Sequence, residues 1–566
     1  MNLRKGGRLK FGSRPIDPDE IMIDAENLPR FDTSQFEGRL ARPISKRVFL
    51  AVGGIGALLF FIFSWQVYAL QVKEGEGYKE ISETHSLSRE VVFAERGLIT
   101  DRNGARLAWN EPGKEPYPDR LYIKVSGLAH LLGHISYPKR DKRGNYYETS
   151  FSGRDGAERS FDGILAGKNG LKLEETDAKG KQVSESEIVP PENGREVRLS
   201  VDSRVQAKLY ELIRARALAA PFTGGAGVIM DVRTGEILAL TSYPEYDPEV
   251  ISFGKDTTAI RKYFSDPGTP LLNRAIAGLY TPGSIVKPYV AIGALEEGVI
   301  SPEKQILSTG SISIPNPYDP KKPSIFKDWR EQGWMNMRLA LAYSSNVYFF
   351  EIGGGFETQP GLGIERLNSY ANMFGFGKVT GIDLTPESEE EGLVPNPRWK
   401  AEVSPEDPWR IGDTYNTSIG QYGFLVTPVQ AARAVSAIAN GGKLLLPTIK
   451  KWEQILPPEG ERLPVLEDNL KIIREGMRAV VTEPRGTGGG LNISGVKVAA
   501  KSGTAEIGIS KAKVNSWITG FFPYDNPRYA FAVVMERGSR ENIVGATFVT
   551  KGLLEWMVLN TPEYLK

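Results

Sequence analysis

Hydrophobic and polar positions divide the chain into stretches of distinct character. Residues 1–47 are polar and charged and predict a mostly disordered tail. Val48 to Leu70 reads VFLAVGGIGALLFFIFSWQVYAL, with no charge and with Gln66 as its one strongly polar side chain. At about 1.5 Å per residue, a helix of this length reaches the ~30 Å of a bilayer core. A soluble core helix is seldom so long and so apolar, and the apolar run of a cleaved signal peptide is shorter. Residues 48–70 therefore predict an uncleaved single membrane anchor. Residues 71–195 alternate in short pieces such as Glu90-Val91-Val92-Phe93, separated by turn signals such as Arg102-Asn103-Gly104. Gly, Lys, Asp and Glu dominate much of 138–196. Without a long apolar run, this span predicts a pedestal of short strands rather than a catalytic domain.

From residue 196 the pattern changes, and 196–566 predicts one large domain. Glu196 to Val201 alternates like a half-buried strand. Asp202 and Ser203 offer caps for a helix through Ala219 that carries Val205, Leu209, Leu212 and Ile213 on one side. Gly227 to Val232 and Glu236 to Leu240 flank Arg233-Thr234-Gly235, which predicts a hairpin. Helical and loop patterns fill most of 271–490, including Gln430 to Asn440 before Gly441-Gly442. Strand patterns return at Val496 to Thr504, Ser516 to Phe522 and Tyr529 to Glu536, followed by a short helix over Leu553 to Leu559. Strands at both ends with helices between them predict an α+β fold. Early and late strands pair in an antiparallel sheet and enclose a helical insert.

Charge and composition narrow the chemistry. The 70 Lys and Arg residues balance 69 Asp and Glu, so the totals advertise no basic face for nucleic acid. Arg42, Lys46 and Arg47 press against the N-terminal end of the apolar run, while Lys73, Glu74, Glu76, Lys79 and Glu80 follow it with mixed sign. The positive-inside rule then puts the tail in the cytoplasm and the rest of the chain outside. The chain has no cysteine, which removes thiol nucleophiles, disulfides and thiolate metal sites together. Its three histidines, His85, His130 and His134, all lie in the pedestal span, so a Ser-His-Asp triad would have to borrow one from another region.

A lysine-assisted serine is the simpler chemistry, and the stretch Tyr280 to Tyr289 offers one. Ser284 and Lys287 are spaced to share a helix face. Pro288 disfavours α geometry at Lys287 and removes a backbone donor, so a helix is expected to begin near Ser284 or to kink there. A lysine acts as a base at neutral pH only if burial or a second cation lowers its pKa, so another cation is expected nearby. A serine and a lysine one turn apart also recur by chance. The second stretch, Tyr343-Ser344-Ser345-Asn346 before Val347-Tyr348-Phe349-Phe350, holds a hydroxyl and a carboxamide at the edge of a buried run; the same residues also suit a helix cap. The third, Lys501-Ser502-Gly503-Thr504, ends an apolar strand. Gly503 there permits close approach of a substrate backbone, and Lys501 supplies the expected cation, although an edge-strand lysine is common.

In this order the three stretches match the S-x-x-K, S-x-N and K-[ST]-G triplet of penicillin-binding proteins and serine β-lactamases. Arg96 to Gly104 (RGLITDRNG), Asp231 to Glu236 and Ser418-Ile419-Gly420-Gln421, with the anchor, resemble the monofunctional class B penicillin-binding proteins. Trp399-Lys400 and Gly412 to Asn416 resemble the elongation type, penicillin-binding protein 2, more than the division type. The resemblance runs from about residue 42 to the end and is most specific from 226 onward.

It implies a membrane-anchored D,D-transpeptidase that cross-links peptidoglycan stem peptides in cell-wall elongation. By that resemblance Ser284 attacks the penultimate D-Ala carbonyl and Lys287 is the general base. Ser344 and Asn346 move the proton and orient the substrate, and Lys501 tunes the electrostatics. Ser502, Gly503 and Thr504 form the substrate-binding strand, and the N–H groups of Ser284 and Thr504 form the oxyanion hole. Implied partners are stem peptides on a lipid-linked precursor, β-lactams as covalent inhibitors, and a polytopic, RodA-like glycan polymerase. The implied location is the inner (cytoplasmic) membrane, single-pass. No cofactor is expected. No metal is expected either, because the cysteine that serves zinc in some elongation-type members is missing. Only a short run separates Asn110 from His130 to Gly133, so the pedestal is expected to be truncated, and the span before the catalytic domain is too small for a glycosyltransferase domain. The short pedestal lends weight to one alternative, a catalytically idle scaffold, polymerase activator or β-lactam sensor with the same fold.

Overall fold

The computed structural model describes residues 46–76, 87–176, 182–316, 319, 321–452, 460–508, 510–541 and 545–566. The tail expected over 1–47 lies outside these residues except for Lys46 and Arg47, and so does His85. Helix α1 (Lys46–Tyr68) continues through a π-helical turn, Ala69–Lys73, and buries none of its side chains. It is long and apolar enough to cross a membrane. It belongs to one compact unit, and Arg89–Glu174 with Glu185–Lys566 form another.

In the second unit, strands β1 (Ile99–Thr100), β2 (Arg106–Glu111), β3 (Asp119–Tyr122) and β4 (Val197–Arg198) make a sheet in the order β4-β1-β2-β3. The strand expected over 196–201 is thus only two residues long, and it runs parallel to β1. The turn after β1 explains the Arg96 to Gly104 motif. The Asp101 carboxylate accepts from the backbone N–H of Asn103 at 2.8 Å and of Ala105 at 2.9 Å, closing the turn, and from Ser203 Oγ at 2.7 Å. Asn103 donates to Asp202 at 2.9 Å and Arg102 to Glu236 at 3.4 Å. Consecutive polar side chains of one turn therefore clamp the pedestal to the helix and hairpin that follow. Arg96 and Arg120 share the fully buried Glu158 carboxylate at 2.5 and 2.8 Å, and Arg96 also pairs with Asp162 at 2.7 Å, so two carboxylates compensate the two guanidinium charges.

Helix α2 (Ser203–Ala219) starts where expected, with Asp202 accepting from Arg204 N–H. Strands β5 (Gly224–Asp231) and β6 (Ile237–Tyr243) form the expected hairpin. The insert that follows contains α3 (Lys287–Glu296), the hairpin β7 (Ser311–Ile314) and β8 (Ser324–Lys327), α4 (Met337–Ala342) and α5 (Asn346–Gly354). It continues to α6 (Pro428–Ala439), capped by Thr427 and Gln430, and α7 (Glu467–Thr482). The chain closes with β9 (Ala499–Ile507), β10 (Lys513–Phe522), β11 (Tyr529–Ser539) and α8 (Ala546–Asn560). Strand order is β6-β5-β11-β10-β9, antiparallel throughout, so early and late strands pair as the pattern predicts.

Both faces of this sheet are covered. Along β11, Ala530, Ala532 and Val534 join the core that includes α3, α4 and α6, whereas Phe531, Val533 and Met535 join the core beneath α2 and α8. The period of two in a strand sends alternate residues to opposite layers. Helix α8 begins well before the expected Leu553. Its first turns, Ala546 to Thr550, are rich in β-branched residues with weak helix propensity, and packing of Val549, Leu553 and Met557 under the sheet overrides that preference.

Candidate active site

Three elements place the site: the turn into α3, the turn between α4 and α5, and the edge strand β9. Gly283 to Val286 form a 3₁₀ turn that runs directly into α3. In a 3₁₀ turn side chains three apart eclipse, so Ser284 and Lys287 project on the same side. The helix begins where expected, but Lys287 itself is helical, with φ −55° and ψ −37°, despite the proline after it. Burial and three side-chain hydrogen bonds hold it there. Gly283 has φ +58°, its N–H donates to Gly420 O at 2.9 Å, and a Cβ on it would lie 3.1 Å from Thr504 O. A side chain there would crowd the turn that carries Ser284 against β9. Gly420 belongs to the Ser418 to Gln421 segment, which therefore supports the turn from below.

Lys287 is fully buried. Its Nζ donates to Ser344 O and to Asn346 Oδ1, both at 2.8 Å, and contacts Ser344 Oγ at 3.4 Å. Lys501 is equally buried, and its Nζ donates to the same Ser344 Oγ at 2.8 Å and to Ser502 O at 2.8 Å. Two lysine amines thus meet at one hydroxyl, and among the described residues no carboxylate is hydrogen-bonded to either. Burial pushes Lys287 down to about 7, against a smaller upward pull from Asp328. Burial, and then the charge of Lys287, push Lys501 well below its ordinary value. The charge of Lys287 disfavours that of Lys501, so the two titrations are linked. Lys501 thus stands where a second basic group was expected, while burial by itself lowers Lys287.

Ser344 holds this position at φ +55°, a left-handed conformation that costs a non-glycine residue about 1 kcal/mol or more. A residue that sequence reasoning missed, Asp328, stabilises the turn. Its carboxylate accepts from Ser345 Oγ at 2.6 Å, Asn346 N–H at 2.9 Å, Val347 N–H at 3.1 Å and Ser308 Oγ at 3.1 Å. The helix-cap role considered for Ser344 and Asn346 falls instead to Ser345, which accepts from Tyr348 N–H. That leaves Ser344 and Asn346 to face Lys287. No spacing rule links Asp328 to residues so far along the chain.

Strand β9 brings Lys501, Ser502, Gly503 and Thr504 past the 3₁₀ turn. Lys501 is buried, Ser502 half-buried and Thr504 exposed. A Cβ at Gly503 would lie 2.8 Å from Pro282 O and 2.9 Å from Ile285 Cγ2, so the approach this glycine permits is that of the nucleophile turn. Trp517 on β10 secures the same turn by donating to Thr281 O at 3.1 Å. Ser502 Oγ donates to Thr487 Oγ1 at 2.6 Å. Thr487 is a second missed residue, and its signal was the run Gly486-Thr487-Gly488-Gly489-Gly490 just before β9. His130 and His134 stay in the pedestal: His130 bonds Pro270 O at 2.9 Å, and burial lowers it to about 3. The eight residues singled out from the sequence lie on three elements that meet at Ser344 Oγ, which both Lys287 and Lys501 reach.

A penicillin-binding protein transpeptidase domain model matches residues 225–552, and a penicillin-binding protein dimerisation domain model matches 113–199. The peptidoglycan D,D-transpeptidase MrdA of Escherichia coli K12 is 31% identical over 488 residues, which is 79% of this chain and 73% of that one. Penicillin-binding protein 2 of Helicobacter pylori, solved in complex with MreC, superposes with a TM-score of 0.68 at 27% identity, covering 84% of this chain and 100% of the other. A chain from a peptidoglycan synthase complex, described as coordinating polymerization and crosslinking, gives a TM-score of 0.70 at 25% identity, covering 91% and 98%. With the transpeptidase model spanning more than half its length and its three motifs joined around one serine, this chain belongs to the penicillin-binding proteins, in the class B arrangement of dimerisation pedestal and transpeptidase domain.

Proposed function

We propose that the chain is a serine-type peptidoglycan D,D-transpeptidase acting in cell-wall elongation. The observation that carries this reading is the meeting of Lys287 and Lys501 at Ser344 Oγ, which supplies a lysine base near neutral pH beside a serine on the same turn. Ser284 Oγ attacks the carbonyl carbon of the penultimate D-Ala of a stem peptide while its proton passes to neutral Lys287 Nζ. The proton moves on through Ser344 Oγ to the amine of the terminal D-Ala, the C–N bond breaks, and D-Ala leaves an ester on Ser284. An acceptor amine from a neighbouring stem attacks that ester, and its proton returns by the same relay to Ser284 Oγ as the new amide forms.

Burial lowers both lysines, and the charge of Lys287 adds to the lowering of Lys501. Arrival of the substrate's terminal carboxylate at Ser502 and Thr504 favours the charged form of Lys501, because an anion then lies beside it. Lys287 is then left neutral. Asn346 holds the Lys287 amine in place and orients the peptide, Gly503 lets the strand lie close, and the N–H groups of Ser284 and Thr504 stabilise the oxyanion. β-Lactams acylate the same serine.

Helix α1 serves as a single-pass anchor of the inner membrane, with residues 1–47 cytoplasmic and the pedestal (71–195) and transpeptidase domain (196–566) outside. A polytopic glycan polymerase supplies the nascent strands. Given polymerised glycan that bears pentapeptide stems, the enzyme releases D-Ala and yields cross-linked muropeptides, and Ser284→Ala abolishes both; full activity in Ser284→Ala would overturn the reading.

A further inference from the structure

Two arginines beside the site reach the same atom. Arg330 Nε donates to Gln332 Oε1 at 3.2 Å, and Arg485 Nη2 donates to that oxygen at 3.4 Å. The shared acceptor is a buried, neutral carboxamide whose Nε2 donates in turn to Tyr343 O at 3.5 Å. Each guanidinium also lies over an aromatic face, Arg330 at 4.1 Å from the Trp329 ring centre and Arg485 at 4.9 Å from that of Tyr343. Among the described residues neither arginine forms an ion pair. The carboxylate whose charge reaches Arg330 is Asp328, and its oxygens are occupied by Ser308, Ser345, Asn346 and Val347.

Arg485 is exposed and Arg330 half-buried, so an anion from solution can reach both. Two like charges are drawn together by the Gln332 oxygen and by Arg330 Nη2 donating to Arg485 O at 3.4 Å, and burial, followed by the charge of Arg485, pushes the Arg330 guanidinium below its ordinary value. The aromatic faces fix both forks in orientation and limit the entropy lost when they grip a planar ligand. The location is also specific. Tyr343 directly precedes Ser344, and Arg485 stands two residues before Thr487, which accepts from Ser502 of the substrate-binding strand.

Resting on the transpeptidase reading, we propose that Arg330 and Arg485 are specificity residues that grip a free carboxylate carried by the stem peptide on an internal residue, away from its C-terminal D-Ala. Trp329 and Tyr343 give the aliphatic part of that residue an apolar bed. The pair acts on recognition rather than on bond making, so it discriminates between peptides that carry this carboxylate and peptides in which it is amidated.

The test is a competition on the full-length, detergent-solubilised protein. Two synthetic pentapeptides that differ only in one internal carboxylate or its carboxamide are compared by the concentration of each that halves the acylation rate of a fluorescent penicillin. The wild type is expected to bind the carboxylate form at least about tenfold more tightly. In Arg330→Gln/Arg485→Gln that preference collapses to near equality through loss of the carboxylate form alone, and Arg→Lys at both positions restores part of it. If the double variant no longer takes up penicillin, Arg330→Gln and Arg485→Gln singly carry the comparison, each losing part of the preference. Equal competition by both peptides in the wild type, or an undiminished preference in the variants, overturns the proposal. Wild-type protein that takes up no penicillin contradicts the transpeptidase reading itself, so the two failures are told apart.

Discussion

At the scale of single residues, the role proposed for Lys287 rests on its burial where a charge is expensive. Its proton must be absent for Ser284 to be activated, and burial holds its pKa to about 7. The acylation rate with a penicillin is therefore expected to rise about tenfold per pH unit below 7 and to flatten above it. Lys287→Met should remove both the rate and its pH dependence; a flat profile in the wild type would contradict the assignment. Ser344 makes a second, separable contribution. Ser344→Gly relieves the left-handed strain at φ +55°, whereas Ser344→Ala keeps it. The glycine variant should be the more stable of the two by about 1 kcal/mol in thermal or denaturant melts, while both lose acylation by roughly 100-fold. The cluster of Lys287, Ser344, Asn346 and Lys501 was legible in the sequence because residue type and order, with Ser284, match a known triplet. Asp328 was not, since its partners are hydroxyls and backbone N–H groups scattered from Ser308 to Val347.

At the scale of elements, the site depends on a strand edge lying close against a turn. A methyl group at Gly503 would meet Pro282 O at 2.8 Å and Ile285 Cγ2 at 2.9 Å. Gly503→Ala is expected to push the nucleophile turn off β9 and slow acylation by 100-fold or more while the protein still folds. Normal acylation in that variant would show that the turn tolerates the displacement. The sequence pattern reveals β9 and the hairpin β5–β6, because each alternates or runs apolar between turn signals. It does not reveal that Gly503 faces the chain's own turn, a contact between residues more than 200 positions apart. Nor does it reveal the early start of α8, where tertiary packing overrides local propensity.

At the scale of the whole transpeptidase unit, a chain of polar contacts ties pedestal strands to the catalytic sheet. Asp101, Arg102 and Asn103 provide one clamp, and Glu245 provides another by accepting from Gly127 N–H at 2.7 Å and Ala129 N–H at 3.1 Å. Burial pushes the Glu245 carboxyl up to about 7, against the backbone hydrogen bonds that lower it. Between the usual carboxylate value and 7, the folded chain thus holds a proton that the unfolded chain has released. The stability contributed by this group is full at low pH and is lost as pH rises toward 7. Glu245→Gln should flatten that part of the melting temperature's pH dependence; an unchanged slope would place the dependence elsewhere. The Arg96 to Gly104 segment was recognisable in the sequence as a family signature, but its role as a clamp required seeing Asp202, Ser203 and Glu236 beside it.

The central claim is that Ser284 is the nucleophile of a lysine-tuned acyl-transfer site. Peptide mapping by mass spectrometry after exposure to a penicillin tests it most directly. The account predicts one penicilloyl adduct, on the peptide that contains Ser284, absent in Ser284→Ala and strongly reduced in Lys287→Met. An unmodified Ser284 under conditions that label a control penicillin-binding protein, or an adduct on another residue, would contradict it.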